Sequence, residues 1–97
     1  MEPKEAAEFE ADKIAFMRTQ VGPEAWLMLD GHMGNSPGAT WTVEVAIAAA
    51  KAVEPYNLFF FEEPLHYTDP WGYAELCRAT TTPIAGGECL TAAYEWR

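Results

Sequence analysis

Near the N-terminus, apolar residues recur at Ala7, Ala11, Ile14, Met17 and Val21. That spacing puts them on one stripe of a helix from Lys4 to Gln20. Gly22 and Pro23 supply its stop. The run Ala25 to Leu29 is continuously apolar, as in a short strand buried on both faces. Gly31 to Thr40 reads as a loop, since it holds Gly31, Gly34, Asn35, Pro37 and Gly38. Thr42 is placed to cap a second helix whose buried face is Val43, Ala46, Ile47, Ala50 and Val53, with Pro55 ending it. Leu58 to Phe61 forms a second apolar run. Asp69 and Pro70 give an N-cap and a proline at the first helical position. The third helix runs to about Ala79 with Tyr73, Leu76 and Cys77 inward. Pro83 to Gly86 makes a third strand, and Thr91 caps a last helix toward Arg97.

Apolar strands alternating with amphipathic helices predict parallel βαβ units, an α/β fold. Right-handed crossovers then set successive strands side by side, about 4.8 Å apart. At 97 residues the chain is one small domain at most. Its hydrophobic fraction of 49% is that of a folded protein.

Each strand is followed by an acid: Asp30, Glu62 and Glu88. In a parallel sheet all C-terminal ends share one edge, so three carboxylates are expected to converge. Like charges that close repel, which raises a pKa or demands a cation. Three oxygen ligands without histidine or thiolate suit a hard ion, Mg²⁺ above all. The plainer alternative for any one strand-end acid is a helix cap or a solvated side chain.

The net charge of −9 argues against nucleic acid and against an anionic membrane surface. No apolar run reaches membrane-spanning length, and Met1 to Glu10 lacks the order of a signal peptide. Two cysteines, Cys77 and Cys89, are too few for a disulfide framework and favour a reduced, cytoplasmic setting. Cys77 reads as a buried helix residue. Cys89 reads as small-residue packing, since thiolate is a poor Mg²⁺ ligand. Trp26 and Phe59 to Phe61 read as barrel core.

The ordered stretches Leu27-Met28-Leu29-Asp30, Leu58-Phe59-Phe60-Phe61-Glu62-Glu63-Pro64 and Pro83-Ile84-Ala85-Gly86-Gly87-Glu88 resemble the mandelate racemase and muconate lactonizing enzyme branch of the enolase superfamily. The resemblance runs from Lys4 onward. It implies that residues 1–97 are a fragment of a (β/α)8 TIM barrel, equivalent to strands three to five with their flanking helices. It further implies that Asp30, Glu62 and Glu88 are metal ligands for Mg²⁺, with Mn²⁺ a possible substitute, and that Glu63 stands behind them. The implied chemistry is removal of a proton next to a carboxylate, with the metal stabilising the enediolate. A homo-oligomeric parent acting on a small carboxylate or sugar acid is also implied.

Two departures from that pattern stand out. The family's base comes from a Lys-x-Lys after the second strand or a His–Asp pair on later strands. Here Lys4, Lys13 and Lys51 all fall in helices. Where racemase-like members carry Asp-x-Asn, this chain carries Asp30-Gly31-His32. His32 resembles the general acid of some acid-sugar dehydratases; the other reading is a loop histidine without a catalytic role. His66, after Pro64, either lines the substrate site or is a surface histidine. The expected function is therefore a Mg²⁺-dependent acid-sugar dehydratase segment. A racemase or cycloisomerase is the alternative, and an inactive packing fragment is the third reading.

Overall fold

A computed structural model describes residues 2–31, 41–66 and 68–86. Helix α1 (Pro3–Val21) leads to strand β1 (Met28–Asp30). Helix α2 (Val43–Ala52) and a 3-10 turn at Glu54–Tyr56 lead to β2 (Phe60–Glu62). Helix α3 (Pro70–Ala79) leads to β3 (Ile84–Ala85). The three strands form one parallel sheet in the order β1-β2-β3. This is the α/β alternation that the apolar runs imply. The expected last helix lies outside the described residues.

The caps form where the residue types place them. Thr42 Oγ1 accepts from the Val45 N–H at 3.3 Å. Asp69 Oδ1 accepts from the Gly72 N–H at 2.9 Å, with Pro70 at the first helical position. Gly22, at φ 89°, closes α1 by donating to the Arg18 carbonyl at 2.9 Å. That positive φ strains any residue carrying a Cβ.

One core lies between the sheet and the helices. It joins Leu29 and Phe61, one from each of two strands, to Ile14, Ala46, Ala49, Ala50, Val53, Leu58, Leu65 and Leu76. The small residues of α2 let it lie close against α1. Trp41 meets the Phe61 ring edge-on at 6.2 Å between centroids, a favoured aromatic geometry.

Several burial expectations are corrected. On α1 the buried positions are Ala6, Glu10 and Ile14, whereas Met17 and Val21 are exposed. Apolar spacing marks a helix, but the stripe that is covered is the one facing α2. Glu10 is buried with its carboxylate 2.8 Å from Lys13 Nζ, an ion pair whose geometry leaves Oε2 without a hydrogen bond. On α2, Val45 and Ala49 join the buried face, while Val43 and Ile47 are partly covered. Strand β1 is buried on one side only, with Leu29 covered and Met28 half exposed. Helices pack on one face of the sheet, and the other face carries no layer among the described residues. For the same reason Trp26 and Phe59, expected in the core, are 75% and 52% exposed and stack on each other at 5.0 Å; only Phe61 of the three phenylalanines is fully buried. Cys77, expected inward, is exposed. It follows the buried Leu76 on α3, and the next position on a helix turns about 100° away.

Candidate metal centre

The register places the candidate ligands. Met28 pairs with Phe60, Leu29 with Phe61 and Asp30 with Glu62. Asp30 and Glu62 are thus the final, directly adjacent residues of neighbouring parallel strands. Strand alternation does the rest. Leu29 and Phe61 point to the helices and are buried, so Asp30 and Glu62 stand on the opposite, open face. Asp30 is exposed and Glu62 partly covered. Two carboxylates are therefore brought to one edge on one face. Both acids belong to the strand ladder itself, one residue further than the apolar runs suggested.

Glu88 lies outside the described residues, as does His32. Among the described residues no group of three or more His, Cys, Asp or Glu side chains could hold a metal ion. Ala85 pairs with Glu62, so Glu88 follows three residues beyond that register position.

The edge is built tightly around Asp30. The Gly31 N–H donates to the Glu62 carbonyl at 2.8 Å, extending the ladder by one rung. The Glu63 N–H donates to the Ala85 carbonyl at 2.9 Å. A Cβ on Gly31 would stand 2.9 Å from the Glu63 carbonyl oxygen, 3.2 Å from Pro64 Cα and 3.3 Å from the Phe61 ring. Glycine is therefore required here for close approach of two backbones.

Glu63 is 4% exposed and holds φ at 51°, in the left-handed region. Non-glycine residues there carry strain of about 1–3 kcal/mol, and such residues gather at functional sites. The chain turns sharply at this point, from the strand into a loop where Pro64 and Leu65 are buried. His66 follows on that loop, half-buried, with Nδ1 2.7 Å from Thr68 Oγ1.

Two supports were not visible in the linear sequence. Arg18 donates to four carbonyls: Gly22 at 3.0 Å, Ala25 at 2.5 Å, Tyr56 at 2.7 Å and Asn57 at 3.3 Å. It thereby ties the segments that enter β1 and β2 to the end of α1. The signal available was a basic residue in a last helical turn, a common partner of terminal carbonyls. Tyr73 Oη donates to the Leu65 carbonyl at 2.9 Å, pinning the loop after β2 to α3. The aromatic spacing of α3 signals burial of Tyr73 but not that bond.

Parallel βαβ units with carboxylates at their C-terminal edge are the architecture of an α/β barrel segment. The model for the enolase C-terminal domain-like family matches residues 2–97, and the chain belongs to that family. It is 36% identical to a 3,6-anhydro-alpha-L-galactonate cycloisomerase of Streptomyces coelicolor, over 90% of this chain and 22% of that protein. It is 37% identical to an L-talarate/galactarate dehydratase of Salmonella typhimurium, over 86% of this chain and 19% of that one. Among solved structures, a racemase from Streptomyces coelicolor with bound magnesium superposes with a TM-score of 0.81 at 35% identity, over 92% of this chain and 23% of that chain. The chain spans about a fifth of the length of the curated relatives it matches. No helix among the described residues is long and apolar enough to cross a membrane.

Proposed function

We propose that this chain is the ligand-bearing segment of an acid-sugar dehydratase barrel, with residues 1–97 equivalent to strands three to five. Asp30, Glu62 and Glu88 would hold Mg²⁺, or Mn²⁺ in its place. The observation that carries this reading is the register pairing of Asp30 with Glu62 at the last rung of two adjacent strands. The donor set is carboxylate throughout, which fits a hard divalent cation. Bound there, such an ion supplies electrostatic stabilisation to negative charge developing on a substrate carboxylate.

The chain's own residues would share the remaining work. Glu63 holds the sharp turn after β2 and keeps Glu62 at the rim. His32, two residues past Asp30, would deliver a proton to a departing hydroxyl. The base that removes the proton next to the carboxylate would come from outside this set. Lys4 and Lys13 lie in α1 and Lys51 in α2, and none ends a strand. On this reading the 97 residues alone do not catalyse, and the complete protein is a cytoplasmic homo-oligomer.

Dehydration is favoured by relatives named for it, which include D-gluconate and L-rhamnonate dehydratases at 33% and 39% identity. A racemase or cycloisomerase is the second reading, supported by the cycloisomerase and racemase relatives. Both use the same edge carboxylates. Calorimetry of the folded chain with Mg²⁺ tests the common core. Glu62→Gln removes one anionic ligand, and affinity is expected to fall at least about tenfold, the scale of losing one charge-assisted contact. Undiminished Mg²⁺ binding by this variant would refute the assignment.

A further inference from the structure

The loop that follows β2 is held more firmly than a connection needs to be. Tyr73 Oη donates to the Leu65 carbonyl at 2.9 Å, and the Asp69 N–H donates to the His66 carbonyl at 3.1 Å. Asp69 is itself fixed as the cap of α3. Between these two anchors sits His66. The Thr68 backbone N–H donates to His66 Nδ1 at 3.3 Å, and Thr68 Oγ1 lies 2.7 Å from the same nitrogen. A hydroxyl can donate or accept, but a backbone N–H can only donate. Nδ1 is therefore an acceptor, and the ring's proton resides on Nε2. These contacts of the loop with Nδ1 set the tautomer.

The place of this loop in the fold gives the tautomer a use. The loop leaves β2 at Glu62, and its Glu63 and Pro64 backbone atoms lie against Gly31, the residue after Asp30. His66 comes two residues after Pro64 in that same loop, which leaves the edge carrying both described carboxylates. That edge is acidic, whereas a polyhydroxy carboxylate substrate needs donors for its oxygens. Among the described residues, the loops leaving the C-terminal ends of β1 and β2 contain no lysine or arginine.

We infer that His66 is a substrate-contacting residue, whose Nε2–H donates to a hydroxyl or carboxylate oxygen of a sugar acid bound at the Asp30–Glu62 edge. Tyr73 and Thr68 are its positioning residues: the first fixes the loop, the second the tautomer. This assignment rests on the proposed metal site, and it adds the group that reads the substrate.

The test uses the 97-residue chain, uniformly ¹⁵N-labelled, with Mg²⁺ and galactarate as probes. Long-range ¹H–¹⁵N spectra report the protonated ring nitrogen, with His66→Ala assigning the signals. Nε2 is expected to be the protonated position in the native chain, and Thr68→Ala is expected to mix the tautomers. His66→Ala is expected to keep Mg²⁺ affinity within about twofold and to weaken galactarate about tenfold, the scale of one hydrogen bond to a charged ligand. His66→Gln, which retains an N–H donor, is expected to recover part of that loss, and it serves as the binding variant should the alanine form not fold. Galactarate affinity unchanged in both variants would overturn the assignment, as would a native ring protonated on Nδ1. A lower unfolding midpoint with unchanged galactarate affinity would show a loop staple and nothing more, which also overturns it. Failure of the native chain to bind Mg²⁺ would instead overturn the metal reading beneath it, and this inference with it.

Discussion

Replacing Gly31 by alanine introduces one methyl group at the most crowded point of the candidate site. The new Cβ would lie 2.9 Å from the Glu63 carbonyl oxygen and 3.2 Å from Pro64 Cα. Both are backbone atoms, so no rotamer change relieves the clash. The third neighbour, the Phe61 ring at 3.3 Å, is fully buried and already packed against Trp41. Overpacking of this kind costs about 1–3 kcal/mol. Relief by separating the two backbones would also stretch the 2.8 Å bond from the Gly31 N–H to the Glu62 carbonyl, adding about 1 kcal/mol. A loss of about 2–4 kcal/mol is therefore expected. A chain of this size has roughly 5–15 kcal/mol in all, so the loss is large but not fatal. With a urea slope of about 1.5 kcal/mol/M, the unfolding midpoint falls by about 1.3–2.7 M. Tryptophan fluorescence reads it, since Trp41 contacts Phe61 directly. The same movement shifts Asp30 against Glu62, so Mg²⁺ affinity falls too. Gly22→Ala is the control. It pays for φ at 89°, yet no atom lies within 4 Å of the added Cβ, and it should leave Mg²⁺ affinity unchanged. A Gly31→Ala chain with a native midpoint would refute the claim that the two strand ends are locked by close approach.

Two further expectations concern the frame. Gly72→Ala would drive a Cβ into the Asp69 carboxylate that caps α3; losing that cap costs about 1 kcal/mol, read as a lower unfolding midpoint, and no change would mean the cap is dispensable. Glu54 accepts from Thr80 Oγ1 at 2.5 Å and from the Thr81 N–H at 3.0 Å, bonds that hold its carboxyl below the ordinary value of 4.5. A depressed folded value stabilises the fold above pH 4.5, and that contribution is lost as pH falls through the lower folded value. Glu54→Gln should therefore flatten the acid limb of the stability profile, and an unchanged limb in acid titration followed by fluorescence would contradict this.

Much of the frame was legible in local chemistry. Thr42, the Asp69-Pro70 pair and Gly22 act through atoms within four residues of themselves, so reading them needed no tertiary information. The apolar runs before Asp30 and Glu62 identified strands because they are short and bounded by turn residues. The order of motifs identified the family, since each acid follows its own strand.

Long-range pairing decided the rest. That Asp30 and Glu62 occupy the same rung is a property of register, and register depends on two segments about thirty residues apart meeting in space. The covered face of α1 was settled by α2, which took Ala6, Glu10 and Ile14 and left Met17 and Val21 outside. Periodicity cannot foresee that choice, because it gives the angle between side chains and not the direction of the neighbour. The same holds for Trp26 and Phe59: their composition suits a core, but whether they are covered depends on a layer that must come from elsewhere. Sequence alone thus determined which of the described elements form, in what order, and that Asp30 and Glu62 end two of the strands. Only the tertiary structure decided which faces are closed, how tightly Gly31 meets Glu63, and that the His66 ring is set by Thr68, because each of these is a contact between groups that local propensity leaves independent.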